Sequence, residues 1–113
     1  MQSNNDNIKS QMRKGVLEYC ILSLLSKGDM YASDIIKNLK EAELIVVEGT
    51  LYPLLMRQKN AGLLTYNWVE SVKGPPRKYY SLTDLGLKFL KELDYEWHET
   101  VKVVSNITKN NQI

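Results

Sequence analysis

The sequence predicts a mainly α fold that carries one β-hairpin and closes on a long helix. Three observations predict it. Apolar residues recur at helical spacing in three successive segments between residues 8 and 60. Leu63 to Glu70 then alternates, and Arg77 to Leu82 answers it across Val72-Lys73-Gly74-Pro75-Pro76. Beyond that hairpin, Thr83 and Asp84 open a new apolar stripe that reaches Ile107.

Helix one is expected from Ile8 to Ser26. Ile8, Met12, Val16, Cys20 and Leu24 follow one another near helical spacing, and Leu17, Ile21, Leu22 and Leu25 widen the stripe. It stops at Lys27-Gly28-Asp29. Helix two is expected from Tyr31 to Ala42, with Ala32, Ile35, Ile36 and Leu39 on its apolar face and Ser33 and Asp34 in its first turn. Helix three runs from Glu48 to Asn60, with Leu51, Leu54, Leu55 and Gln58 on one face, and ends at Ala61-Gly62.

In the first strand Leu64, Tyr66 and Trp68 share one side, and Thr65, Asn67 and Val69 the other. Pro75 and Pro76 lack the donors a strand interior needs, so they belong to the turn. Tyr79 and Tyr80 anchor the return strand, one facing each side. Thr83 then caps the long helix, whose stripe Leu90, Leu93, Trp97, Val101, Val104 and Ile107 approximates a heptad seam. Lys109 to Ile113 is expected to fray.

Three helices, a hairpin and a long helix make a winged helix-turn-helix over residues 8–82, followed by a dimerisation helix over 83–108. The long helix carries an apolar seam that a core this small has little surface to cover. A second copy of the chain is the natural cover, which predicts a homodimer held by Leu90, Leu93, Trp97, Val101 and Val104.

Composition narrows the function. The 113 residues are 43% hydrophobic and 25% charged, ordinary for one soluble domain. The longest apolar-rich stretch, Val16 to Leu25, is interrupted by Glu18 and Ser23, so no membrane span is expected. The polar start Met1 to Asp6 offers no signal-peptide core, and a cytoplasmic location follows. The single cysteine, Cys20, excludes an internal disulfide and a cysteine-built zinc site. His98 is the only histidine, so a metal site or a histidine-dependent triad lacks its other members. No catalytic residues, metal or cofactor are expected, and the chain is not read as an enzyme.

Net charge is only +2, but it is unevenly spread. Leu44 to Leu82 holds five basic residues (Arg57, Lys59, Lys73, Arg77, Lys78) against two acidic ones, whereas Thr83 to Ile113 holds four against five. The middle of the chain is therefore the surface suited to an anionic partner.

Helix three is the candidate recognition helix. Gly49 leaves its backbone open to close approach, Thr50 and Tyr52 carry hydroxyls that reach phosphates or base edges, and Arg57 and Lys59 lie further along. Tyr31 and Ser33 at the start of helix two are a second phosphate contact. Lys73, Arg77 and Lys78 surround the Gly-Pro-Pro turn, where the prolines stiffen the tip and lower the entropy cost of placing cations. The same lysines and prolines would also discourage edge-to-edge sheet pairing, and both readings hold together. In the long helix Trp97 sits mid-seam, where a dimer axis would face it with its own copy. Such a pair either anchors the interface or forms a slot for a planar aromatic ligand, with Asp94, His98 and Tyr19 at the rim.

The wording of these segments resembles the PadR family of bacterial transcription regulators. The resemblance rests on Gly15-Val16-Leu17-Glu18-Tyr19-Cys20-Ile21-Leu22, Tyr31-Ala32-Ser33-Asp34-Ile35-Ile36 and Glu48-Gly49-Thr50-Leu51-Tyr52-Pro53-Leu54-Leu55. It continues through Ala61-Gly62-Leu63-Leu64 and through Pro76-Arg77-Lys78-Tyr79-Tyr80-Ser81-Leu82-Thr83-Asp84-Leu85-Gly86. It implies a dimeric winged-helix repressor that binds an inverted-repeat operator in double-stranded DNA and is released by a small effector. The single C-terminal helix is similar to the compact, multidrug-binding subgroup, whose paired tryptophans flank a planar drug, and Trp97 falls at the matching place. The surrounding Asp94-Tyr95-Glu96 and His98-Glu99 are this chain's own.

Two rival functions remain open at this point. A winged-helix module that binds another polypeptide would use the same helix and hairpin, but has no need of Lys73, Arg77 and Lys78 at the wing. A small-molecule carrier would use Trp97 without any affinity for DNA.

Overall fold

The computed structural model describes residues 8–9 and 11–112. The polar start Met1 to Asp6 and the terminal Ile113 lie outside the described residues. The elements are α1 (Leu17–Leu25), β1 (Met30–Tyr31), α2 (Ala32–Glu41), α3 (Glu48–Asn60), β2 (Leu64–Val69), β3 (Arg77–Leu82) and α4 (Asp84–Thr108). The fold is mainly helical with one small antiparallel sheet, as the patterning predicts.

Helix one is shorter than expected. Residues 11–13 are helical, but a turn over 14–16 separates them from α1. Gly15 adopts φ +94, a conformation that a helix cannot contain and that glycine alone takes without strain. The stripe is broken there too: Ile8 and Met12 are exposed, and the core is supplied by Ile21, Leu22 and Leu25, whose side chains are buried.

The sheet has three strands in the order β1-β3-β2, all antiparallel. β1 is two residues long and adds to the outer edge of β3, pairing Met30 with Tyr80 and Tyr31 with Tyr79. A pair this short cannot show alternation, so the hairpin was the only sheet visible in the patterning. Tyr80 turns into the core, while Tyr79 packs beside Tyr31 with ring centroids 4.8 Å apart.

The core gathers Ile21, Leu22 and Leu25 of α1, Ile35 and Leu39 of α2, Leu51 and Leu55 of α3, Leu64, Tyr80 and Leu90. Each fully buried Leu or Ile contributes roughly 1.5–3 kcal/mol, so truncating Leu22 or Leu51 to Ala would cost about 2–5 kcal/mol. Gln58 joins them, nearly fully buried, because its Nε2 donates to the Glu18 carbonyl at 3.1 Å.

α4 begins on a tight joint. The Thr83 hydroxyl accepts from the Gly86 N–H at 2.9 Å and donates to the Gly62 carbonyl at 2.6 Å. The first half of α4 then packs on the body, with Leu90 buried and Leu93 half-buried against the core. The second half projects. Trp97, Val101, Val104 and Ile107 are exposed. The radius of gyration is 16.5 Å, where a compact domain of this length has about 13 Å. The long dimension is 58 Å. Among the described residues no helix is long and apolar enough to cross a membrane.

Candidate nucleic-acid interface

Three elements converge on one groove beside the sheet. α2 offers its first turn, where the Asp34 carboxylate accepts from the Tyr31 N–H at 3.0 Å and fixes the entry of the chain. α3 offers Tyr52. The hairpin of β2 and β3, which is the wing, offers Trp68, Arg77 and Lys78. Together these side chains and Ser33 line a groove of about 410 Å³. A second depression, of about 330 Å³, lies between the end of α1 and the start of α4 and gathers Lys27, Asp29 and Asp84. Its lining includes the helix stop Lys27-Gly28-Asp29 and the cap Thr83, but none of the residues expected to bind DNA or an effector.

Arg77 locks the groove. Its Nη2 donates to the Ser33 hydroxyl at 2.7 Å, and its guanidinium lies 3.9 Å from the centre of the Tyr31 ring. The wing is thereby tied to the start of α2, and the cation is held in place while still exposed. Lys78 lies over the Tyr66 ring at 4.5 Å and near the Trp68 ring at 5.4 Å. Lys73 stands on the exposed turn, and Lys59 lies 5.6 Å from the Tyr66 ring.

α3 starts openly. Its N-cap is Val47, whose side chain makes no capping bond, so the first turn keeps donors available to an outside acceptor. Gly49 and Thr50 are exposed, and a Cβ placed on Gly49 would meet nothing within 4 Å. Tyr52 is about half exposed. The groove thus brings together Tyr31, Ser33, Tyr52, Arg77 and Lys78 of the residues picked from sequence, while Gly49 and Thr50 stand on the adjoining start of α3.

Arg57 is placed differently. It forms a salt bridge with Glu18 of α1 on the flank of α3, away from the groove's lining. Glu18 therefore holds α3 twice, by its carboxylate to Arg57 and by its carbonyl to Gln58. No local pattern in the sequence ties Glu18 to α3, because its partners lie some forty residues away.

The residues named around Trp97 also meet within one chain. The Tyr19 hydroxyl donates to Asp94 Oδ1, and the Tyr19 ring centroid lies 6.3 Å from that of Trp97. His98 Nδ1 donates to the Asp94 carbonyl at 2.7 Å, which places a proton on that nitrogen. The hydrogen bond to Asp94, then burial, then the nearby carboxylate charge push the Tyr19 phenol up to about 12. Burial raises the Cys20 thiol and the Tyr80 phenol as well. Cys20 is thus a poor nucleophile, and it sits half-buried on α1. Among the described residues no group of three or more His, Cys, Asp or Glu is arranged to hold a metal ion.

Comparison with known proteins gives a consistent picture. The profile of the transcriptional regulator PadR-like family matches residues 21–92. A PadR-like transcription factor of known structure from Bacteroides fragilis is 65% identical, with a TM-score of 0.77 over 89% of this chain and 98% of that one. A PadR family transcriptional regulator from Eggerthella lenta is 32% identical, with a TM-score of 0.86 over 98% of this chain and all of that one. An uncharacterized protein of Lysinibacillus sphaericus is 30% identical over 100 residues, 86% of this chain and 92% of that protein.

Proposed function

Since this chain belongs to the PadR-like family of DNA-binding transcriptional regulators, which are not enzymes, we propose that it is a dimeric repressor of an inverted-repeat operator, released by a small planar ligand. One observation carries the DNA half of this reading. A single groove collects the start of α2, the recognition helix α3 and the cations of the wing, with Arg77 bridging Ser33 and Tyr31. α3 enters the major groove, with Thr50 and Tyr52 near base edges and Gly49 letting the backbone close on phosphate. Tyr31, Ser33, Lys59, Lys73, Arg77 and Lys78 contact phosphates on either side. Arg57 joins them only when it leaves Glu18.

Dimerisation is supported by the projecting half of α4. Leu90 and Leu93 are taken up by their own chain's core, which leaves Trp97, Val101 and Val104, with Ile107 beyond them, for a partner. Two copies of residues 83–108 packed on this seam set the distance between the two winged domains. Trp97 then meets its symmetry mate, and the cluster of Tyr19, Asp94 and His98 forms the rim of a slot for a planar ligand. A ligand that prefers one spacing of the domains lowers operator affinity by its differential binding to the two arrangements.

Selection of bound duplexes from a random pool tests the reading. The recovered site should be an inverted repeat bound by two chains, with half-sites about one helical turn apart or a multiple of that. Tyr52→Phe and Thr50→Ala should lower the preference for that site over random duplex more than they lower non-specific binding. An asymmetric site bound by one chain, or no enriched sequence at all, would contradict it.

A further inference from the structure

The face of β2 that holds Leu64 and Tyr66 ends on an unexplained side chain. Leu64 is buried, Tyr66 is half-buried, and Trp68, next on the same face, is 62% exposed. The strand thus carries its largest apolar side chain past the edge of the core and over the groove. A bare indole on a wing is a liability, because exposed apolar surface near a sheet edge invites association. The fold does not need it there: Trp68 touches its own chain through the edge of Tyr66, 5.8 Å between centroids at 87°, and the ammonium of its cross-strand partner Lys78.

The surroundings define what would cover it. Across the groove stand Tyr52 of α3 and the Arg77–Tyr31–Ser33 bridge. Among the described residues that line the groove none is acidic. The surface therefore alternates flat apolar plates with cations. A sugar-phosphate strand has that same alternation, of apolar deoxyribose faces and anionic phosphates. The wall shared with α3 also makes the groove continuous with the recognition helix.

We propose that the groove between α3 and the wing seats one strand of the duplex backbone, with a deoxyribose packed on the Trp68 indole and the flanking phosphates on Lys78 and Arg77. This deepens the DNA-binding reading and rests on it. Trp68 supplies contact without charge. Its removal weakens binding while leaving the number of displaced counterions unchanged, the reverse of what removing a wing cation does.

The chain has two tryptophans, so Trp97→Phe leaves Trp68 as the sole tryptophan, read by excitation at the red edge where tyrosine does not absorb. In that background, a random-sequence duplex of about 30 base pairs, long enough for two half-sites, should quench and shift Trp68 emission. In the otherwise native chain, Trp68→Ala should lower duplex affinity about tenfold with an unchanged salt slope. Trp68→Phe should recover most of that loss, and circular dichroism should show both variants folded. Wild-type affinity in Trp68→Ala, while Arg77→Ala with Lys78→Ala still weakens binding, would overturn the proposal and leave the DNA reading standing. No duplex binding by the unmodified chain would overturn both. Equal quenching of Trp68 by poly-glutamate and by duplex at matched charge would also overturn it, by assigning the groove to acidic polypeptide.

Discussion

The hydroxyl of Tyr19 on α1 donates to the carboxylate of Asp94 on α4, within one helical turn of Trp97. The preceding residue, Glu18, holds Arg57 and Gln58 of α3. Two consecutive residues of α1 thus join the projecting helix α4 on one side to α3 on the other. The two contacts make a short bonded path between α4 near Trp97 and the flank of α3.

Tyr19→Phe should loosen that joint without unfolding the chain. A hydrogen bond to a charged group at a partly exposed site contributes about 1 kcal/mol, so the Tm should fall by a few degrees. The pH dependence has a definite sign. The Tyr19 phenol is raised from 10.0 to about 12 by its bond to Asp94. Its contribution is therefore complete below about pH 10 and is lost as pH rises through 12. Chemical denaturation at pH 8 and pH 11 should find wild type more stable than Tyr19→Phe at the lower pH, with the gap shrinking at the higher. A gap that widens with pH would contradict the assignment.

Glu18→Gln should release Arg57. The guanidinium is largely solvent-exposed in its pair with Glu18, so it is within reach of a nearby phosphate once uncoupled. Affinity for random duplex should rise and the salt slope should steepen by about one. Arg57→Ala alone should change the slope little, because that cation is already engaged. A large loss of duplex binding in Arg57→Ala would show that Glu18 does not hold it back.

Two glycines should respond in opposite ways. A Cβ on Gly86 would stand 1.9 Å from the Leu63 carbonyl oxygen, so α4 docks on the body only because that side chain is absent. Gly86→Ala should cost at least about 2 kcal/mol and roughly 10 °C in Tm. Gly49 has open space around it and no unusual backbone angle. Gly49→Ala should stabilise α3 by about 0.5–1 kcal/mol while lowering duplex affinity, since the new methyl group meets the DNA. A Gly49→Ala protein that is more stable and binds equally well would remove close backbone approach from the mechanism.

The same contrast explains what was legible in the sequence. The ends of α3 were readable because Glu48-Gly49-Thr50 and Ala61-Gly62 are local signals, and the start of α4 because Thr83 is a local cap. The hairpin was readable from alternation and two prolines. The break at Gly15 was not, since apolar residues at helical spacing run straight through it. β1 was too short to have a pattern. The pairing of Glu18 with Arg57 and of Tyr19 with Asp94 spans long stretches of chain, and no local rule reports it. Trp68 was read as one more residue of an alternating face, because exposure at the end of a strand depends on where the core stops.

Trp97 and its neighbours should respond to planar cationic dyes. A cation in the proposed slot would draw on the Asp94 carboxylate, for which the Tyr19 hydroxyl competes. Dye titration followed by tryptophan fluorescence should show weaker binding in Trp97→Ala, unchanged binding in Trp68→Ala and tighter binding in Tyr19→Phe. Bound duplex should lower dye affinity by the same factor by which dye lowers duplex affinity. Equal dye affinity in wild type and Trp97→Ala would leave Trp97 as an interface anchor alone.

In the proposed function the wing and the starts of α2 and α3 form one DNA-binding face. Duplex affinity across a salt gradient, compared between wild type and Arg77→Ala with Lys78→Ala, reads that face through its phosphate contacts. The double variant should bind every duplex more weakly, with a salt slope flattened by about one to two units. Unchanged affinity together with an unchanged slope would contradict it.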